Sequence, residues 1–518
     1  MKIVKYILIN NIMSKKIPKW ATVNPWKMSF ENKAILSNLV DGKWILSTKN
    51  INIIDPLNGQ KVIKVPCISN LDIYKQSMQK CNLSGLHNPI KNTERYLMYG
   101  EISAKAAMEL DKDYVSEFFI KSIQRVMPKS YSQAKAEVDI TKKFLYNFSG
   151  DQVRFLAKGF TTPGDHQNQQ STGYRWPYGP VSLITPFNFP LEIPVLQLMG
   201  GLYMGNKVLV KNCIKTSLVI EQFIRLLHYC GMPMTDVDLL HGRNNIEKLI
   251  KDNIFRNIQF TGSSKIANHL SEITKGKVKI EDSGFDWKII GPDILDIESI
   301  ANISDNDAYN CSGQKCSAQS ILFIHNEWKN TDFIDRITKL AEKRNIKDLT
   351  IGPTLSIDNK HFNEHLNDIL KIHGSELLFG GKEIENHTIP SVYGSMKPTA
   401  VVVPIESFKK EFNLLTKEIF GPFQIIVFYE DINNVINVIN NIEHNLTAAV
   451  VSNDLKFINK ILSNTINGTT YVGSNARTTG APQNHYFGPS GDPRGAGIGT
   501  PEAIKNVWSC HREIILDY

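Results

Sequence analysis

The chain has 518 residues, 42% of them hydrophobic, and a formal charge of +8, enough apolar content for two or three domains with their own cores. No run of roughly 18 apolar residues occurs, so no membrane-spanning helix is predicted, and no basic stripe interleaved with aromatics marks a nucleic-acid partner. The seven cysteines, Cys67, Cys81, Cys213, Cys230, Cys311, Cys316 and Cys510, are odd in number, irregularly spaced and without a Cys-x-x-Cys pair; neither a disulfide framework nor a metal site is expected, and a reducing compartment fits.

In chain order, Lys2, Lys5, Lys15, Lys16 and Lys19 precede the first acidic residue, Glu31. A solvated tail accounts for such a start, and so does a basic, acid-free mitochondrial presequence. Residues 1–24 are set aside as a candidate targeting tail, with the mitochondrial matrix as the expected compartment and the cytosol as the alternative. From about Gly179 to Gly284 short apolar strands alternate with helical patterns. Strands are predicted over 181–184, 208–211 and 257–261. A buried helix is predicted over 191–204, and Ser217 is expected to cap an amphipathic helix carrying Val219, Phe223, Leu226 and Leu227. This βαβα order implies an α/β fold with a parallel sheet, and such sheets bind ligands where their strands end and helices begin. A second α/β pattern runs from about Phe285 to Gln483. Val507 to Tyr518 read as an extended end able to pair with another strand.

Two glycine-rich stretches are read as turns. Gly495-Ala-Gly497-Ile-Gly499 lacks the GxGxxG spacing and no strand leads into it; Gly380-Gly381-Lys382 is followed by Glu383, and Glu376 stands where a phosphate loop needs Gly. A dinucleotide, if bound, is held without that fingerprint.

Five segments carry candidate chemistry. Thr185-Pro186-Phe187-Asn188-Phe189-Pro190 holds an amide in a stiff turn; such a neutral donor suits a developing oxyanion, although a lone turn Asn more often satisfies nearby backbone. Phe260-Thr261-Gly262-Ser263-Ser264 joins a strand to a helix start, where free N–H groups bind phosphate or Ser merely caps the helix. Glu281-Asp282-Ser283-Gly284 places a carboxylate at a strand end, where it is either a general base on water or a surface acid. Asn310-Cys311-Ser312-Gly313-Gln314-Lys315-Cys316-Ser317-Ala318 surrounds Cys316 with small residues that leave room over its sulfur. A thiol acts as a nucleophile only when reachable and partly ionised; the plain alternative is a buried core thiol. Lys417-Glu418-Ile419-Phe420-Gly421-Pro422 offers a carboxylate for ribose hydroxyls and a ring for a cofactor, or is simply a helix end closed by Gly and Pro.

Each segment alone is ambiguous, but their order is not. Over roughly residues 25–518 the succession PFNFP, VLVK, FTGS, EDSG, GQKCS and EIFGP resembles the aldehyde dehydrogenase superfamily. Ser-Gly-Gln-Lys-Cys-Ser resembles its 1-pyrroline-5-carboxylate dehydrogenases. Glu281–Lys288, Phe487–Glu502 and the ending Val507-Trp-Ser-Cys-His-Arg-Glu513 are similar to the plant-type branch.

The resemblance implies an aldehyde dehydrogenase fold. A parallel-sheet NAD-binding domain would span 25–155 and 178–284, an α/β catalytic domain 285–489, and a small β oligomerisation extension 156–177 and 490–518. It implies NAD-dependent oxidation of L-glutamate γ-semialdehyde to L-glutamate in proline degradation, by a homo-oligomer acting on a small molecule, with no nucleic acid or membrane partner. Cys316 would be the nucleophile, Asn188 the oxyanion donor and Glu281 the base that hydrolyses a thioester, with Asp282 as the alternative base. Thr185, Pro186, Phe187, Lys211, Gly262, Ser263, Glu418 and Phe420 would hold NAD. Phe189, Ser317, Gly488, Ser490 and Gly491 would hold substrate. Ile214 stands where many NAD-using relatives carry Glu, so NAD over NADP is implied by the branch rather than by a carboxylate there. Another semialdehyde dehydrogenase, such as one for succinate semialdehyde, is the nearest rival. A non-catalytic relative is disfavoured by the joint presence of Cys316, Asn188, Glu281 and Glu418.

Overall fold

Two seven-stranded sheets, each covered by helices on both faces, organise the computed structural model, which describes residues 16–68, 70–242, 246–282, 284–480 and 484–518. In the first sheet the order is Val278–Glu281, Asn257–Thr261, Pro180–Ile184, Lys207–Lys211, Val237–Leu239, Asn38–Val40 and Lys43–Ile45. The first five run parallel, and the last two are added antiparallel. Burial on both faces explains why these strands read as unbroken apolar runs. Val208 and Val210 pack on one side with the helices Glu94–Leu110, Asp113–Val126, Tyr131–Asn147, Glu192–Tyr203 and Ser217–Tyr229, while Leu209 points to the opposite core beside Asp72–Gln79, Ile246–Lys251 and Ser264–Thr274.

The second sheet runs Glu376–Phe379, Thr399–Val402, Phe423–Tyr429, Gln319–His325, Asp286–Ile290, Thr447–Val451 and Thr469–Val472. It is parallel except for the first pair. A three-stranded antiparallel sheet joins Phe160–Pro163, Gln169–Pro177 and Ser509–Asp517. The extended C-terminal end expected from sequence is therefore paired along its length, although Val507 and Trp508 belong to the preceding helix Pro501–Trp508. No helix among the described residues is long and apolar enough to cross a membrane.

Three expectations need adjustment. Ser217 does not cap its helix; Thr216 holds that position, and the Ser217 hydroxyl donates back to the Cys213 and Ile214 carbonyls. Gly495–Gly499 is not a plain turn: Gly495 bridges to Ile280 and Ile498 to Phe487, tying this stretch to the first sheet. Only 509–517 of the 490–518 segment enters the small sheet, because helix Pro501–Trp508 buries Trp508 against Gly200 and Gly201. The candidate tail 1–24 packs onto the body at its end: Trp20 stacks on Phe119 at 5.6 Å and Val23 is buried. Lys2, Lys5 and Lys15 lie outside the described residues, as do Ser283 and Gln483.

Candidate active site

The chain lays strands outward from Pro180–Ile184 to Lys207–Lys211 and Val237–Leu239. It then returns to the other side with Asn257–Thr261 and Val278–Glu281. Such a reversal opens a crevice at the C-terminal strand ends, where ligands bind in sheets of this kind. A cavity of about 750 Å³ lies there. Pro186, Phe187 and Asn188 line it after one strand, Thr261, Gly262 and Ser263 after a second, and Glu281 and Asp282 after a third. The opposite wall comes from the second sheet's half of the chain: Cys316, Glu418 and Phe420. Ser263 occupies the N-cap of helix Ser264–Thr274, makes no side-chain bond to it and lines the cavity beside the positive end of that helix.

Cys316 follows a tight connection. Helix Ile297–Tyr309 stops, and Cys311, Ser312 and Gly313 take φ values of 56°, 58° and 68°. Phe420, in the facing loop, has φ 50°. Left-handed conformations cost non-glycine residues about 1–3 kcal/mol each and persist where the surroundings over-determine them. Here the surroundings do. A Cβ at Gly313 would collide with the Gly421 carbonyl. The Gln314 amide donates to Pro353 O at 3.1 Å and its carbonyl accepts the Leu355 N–H at 2.6 Å. The Phe420 carbonyl accepts the Ser356 hydroxyl at 2.6 Å, and its ring meets Phe187 edge-on at 5.9 Å.

The electrostatics tie Cys316 to Glu281. Burial pushes the thiol well above its ordinary range, and the negative charges of Glu281, Asp286 and Glu418 push it further. Glu281 is 1% exposed, and its carboxyl is close enough to the Cys316 thiol to interact with it. Burial raises it to about 7, the neighbouring Cys316 thiol pulls it part of the way back, and Asp282 adds to the rise. A carboxyl poised there can take up and release a proton near neutrality. Asp282 lines the same cavity, but its carboxylate faces His444 at 3.5 Å. Burial also raises Glu418, helped by Asp286 and opposed by the Gly284 N–H.

A buried ion pair steadies the Asn188 turn. Lys129 and Glu137 are both fully buried, with Nζ and Oε2 3.0 Å apart. Lys129 also donates to the Asn188 carbonyl at 2.8 Å, and Glu137 accepts the Leu191 and Glu192 N–H groups at 2.8 and 3.2 Å. The carboxylate thus caps helix Glu192–Tyr203 while the ammonium holds the turn before it. Nothing in the local sequence marks this pair. If Asn188 is the oxyanion donor, Asn188→Ala lowers turnover roughly 100- to 1000-fold with a smaller change in substrate KM. Steady-state rates measure this, and an unchanged kcat would leave Asn188 a turn residue only.

Cys316 also borders a second, smaller cavity of about 290 Å³, lined by Gln133, Glu137, Phe189, Glu192, Lys315, Ser317, Gly480 and Phe487. Burial and the Glu137 charge raise Glu192 to about 8, against the pull of Lys129 and Lys315. As the sole charge in the apolar stretch 191–204, Glu192 was visible in the sequence as an exception, and Lys315 adjoined the thiol. Two expectations are corrected. Gly488, Ser490 and Gly491 do not line this cavity: the Ser490 N–H is bound to Asn445 O at 3.1 Å, and Gly488 packs on Gly497. Phe487 and Gly480 form the wall instead. Lys211 does not line the large cavity; its ammonium turns onto the Asn212 carbonyl at 2.9 Å, and Lys215 stands in the wall.

Comparison with known proteins agrees with this architecture. Residues 44–506 match the aldehyde dehydrogenase family. The chain is 55% identical over 505 residues to a probable aldehyde dehydrogenase of Linum usitatissimum, covering 96% of this chain and 92% of that protein. It is 53% identical over 514 residues to the mitochondrial delta-1-pyrroline-5-carboxylate dehydrogenase 12A1 of Arabidopsis thaliana, covering 98% and 92%. A solved 1-pyrroline-5-carboxylate dehydrogenase from Thermus with bound NAD shares the fold, with TM-score 0.80 at 19% identity over 94% of each chain. The chain therefore belongs to the aldehyde dehydrogenase family.

Proposed function

We infer that this protein oxidises L-glutamate γ-semialdehyde, the open form of 1-pyrroline-5-carboxylate, to L-glutamate with NAD, as a step of proline degradation. The observation that carries the reading is that two cavities meet at one thiol, Cys316. One is large, with a helix N-terminus, the buried carboxyl of Glu281 and the half-buried Glu418; the other is smaller, with Glu192, Lys315 and Ser317 among the residues of its wall. The near-full-length identity to a protein named for this activity supports the choice of substrate.

The large cavity suits a dinucleotide. Its helix start and the unengaged Ser263 hydroxyl suit a pyrophosphate, and Glu418 suits ribose hydroxyls. Pro186, Phe187, Gly262, Ser263, Glu418 and Phe420 would hold NAD there, with Lys215 in the wall and Thr185 and Lys211 at the strand ends behind it. When bound, NAD supplies the hydride acceptor.

The chain's own residues supply the rest. The Cys316 thiol gives up its proton to solvent, and its sulfur adds to the aldehyde carbon, giving a thiohemiacetal. The Asn188 amide and the Cys316 N–H donate to its oxyanion. Oxidation of that carbon leaves a thioester on Cys316. Glu281 then takes a proton from water as it attacks, which releases glutamate and restores the thiol. Ser317, 5% exposed beside the sulfur, donates to the substrate carboxylate, and Phe189 lines the approach. Residues 25–155 and 178–284 serve as the NAD-binding domain and 285–489 as the catalytic domain. The small antiparallel sheet leaves Phe160, Ile515 and Tyr518 exposed, which supports a homo-oligomer built on that sheet. The mitochondrial naming of the Arabidopsis relative and the lysines of residues 1–24 support the matrix as the compartment.

The test is NADH formation with pyrroline-5-carboxylate, succinate semialdehyde and propanal, with NADP run alongside. Pyrroline-5-carboxylate with NAD should give the highest kcat/KM; a clear preference for succinate semialdehyde overturns the substrate assignment. Within the same assay, Ser317→Ala should raise KM for glutamate semialdehyde about ten- to a hundred-fold, the worth of a hydrogen bond to a charged group, and leave propanal unchanged. Equal losses on both would mean a disturbed nucleophile.

A further inference from the structure

A carboxylate that the mechanism does not use joins the nucleophile's helix to the wall of the small cavity. Asp307 lies near the C-terminal end of helix Ile297–Tyr309, which leads directly into the Cys316 turn. It is 1% exposed, and it accepts four hydrogens. Lys288, on the interior strand Asp286–Ile290 and itself fully buried, donates from 2.8 Å and also reaches Ser304 Oγ at 3.2 Å. The other three hydrogens come from one turn: Thr478 N–H at 2.8 Å, Thr479 N–H at 3.3 Å and the Thr479 hydroxyl at 2.7 Å. The next residue, Gly480, is part of the cavity wall that also contains Cys316 and Ser317. Gly480 also packs against Tyr471, whose hydroxyl leaves no room for a Cβ there.

The turn is thus clamped between Asp307 and Tyr471. Burying two charges is costly, and an apolar pair of similar volume often serves the fold as well. The Asp307–Lys288 pair therefore calls for a role beyond stability, and its three bonds to one turn supply it. We propose that Asp307, charge-balanced by Lys288, is a positioning residue: it fixes the Thr478–Gly480 turn against the small cavity and thereby sets the preference for aldehydes that carry a distal carboxylate. The proposal rests on the reading of that cavity as the substrate site. A substrate that fills about 290 Å³ touches this wall, whereas a short aldehyde reaches the sulfur without it.

The test compares Asp307→Asn and the double variant Asp307→Leu with Lys288→Met against wild type, on glutamate semialdehyde, succinate semialdehyde and propanal. The single variant strands the Lys288 ammonium and puts the fold at risk; the double variant removes both charges, and its thermal midpoint checks that it folds. KM for the two carboxylated substrates should rise about ten- to a hundred-fold, the scale of effect that follows a displacement near 1 Å. kcat, KM for NAD and kcat/KM for propanal should stay within a few-fold. An unchanged ratio of carboxylated to plain kcat/KM in the folded double variant overturns the proposal. So does an equal loss on all three aldehydes, which would make the pair a support of the Cys316 helix alone. Wild type that oxidises succinate semialdehyde but not glutamate semialdehyde would overturn the substrate assignment instead, and the ratio is then read on succinate semialdehyde.

Discussion

Replacing Cys316 by Ser should abolish dehydrogenation and leave NAD binding unchanged. A hydroxyl is scarcely ionised near neutral pH, whereas a thiol with an intrinsic pKa of about 8.5 ionises readily enough to react. Burial and three acidic neighbours hold the resting Cys316 protonated, so the attack depends on proton removal at the moment of reaction, a demand that serine meets far less well. NADH formation should fall at least about a thousand-fold. NAD binding, followed by quenching of protein fluorescence, should not move, because most of the large cavity's wall comes from other residues. Cys311 is the internal control. It borders only the small cavity, is 3% exposed, and donates its thiol to Gln133 at 3.5 Å. Cys311→Ser should keep most of the activity; if it is the silent variant and Cys316→Ser turns over, the nucleophile has been misassigned.

The sequence was most informative where one element does one job. Asn257–Thr261 and Lys207–Lys211 read directly as strands because burial on both faces demands continuous apolar residues. The chemical segments were found because each sits in a short stretch at a strand or helix end, and their order survives in the chain. Lys129 with Glu137 and Lys288 with Asp307 were not legible. Each pair is made by residues that are unremarkable in their own helices or strands and meet only after packing. Register failed in the same way. Between residues 477 and 491 several glycines compete for the cavity wall, and tertiary bonds decide among them: Asn445 takes the Ser490 N–H while Asp307 presents Gly480. Lys211 and Lys215 are four residues apart, and only the fold shows that the first turns back onto the neighbouring backbone.

Replacing Glu281 by Gln should stall the reaction after oxidation of the substrate carbon. The first turnover then gives a burst of NADH near one per active site, and the steady rate that follows drops by about 100- to 10,000-fold, the usual worth of a general base. Denatured protein taken from that steady state should carry the acyl group on Cys316, visible as a mass increment removed by hydroxylamine. The wild-type profile gives a second check. Glu281 works as a base only when ionised, so with its pKa raised to about 7 deacylation is fastest above that pH and falls as the pH drops through it. In the Glu281→Gln protein that limb disappears. The stability sign is the reverse. A carboxyl raised from its unfolded value near 4.3 binds its proton more tightly in the folded state, so the stability it contributes is present below that value and is lost as pH rises toward 7. The Glu281→Gln protein should therefore melt no lower than wild type at pH 8, which separates a lost base from a damaged fold. Asp282→Asn should keep the steady rate within a few-fold, since its carboxylate faces His444 rather than the thiol. A burst in that variant, with none in Glu281→Gln, would move the base by one residue.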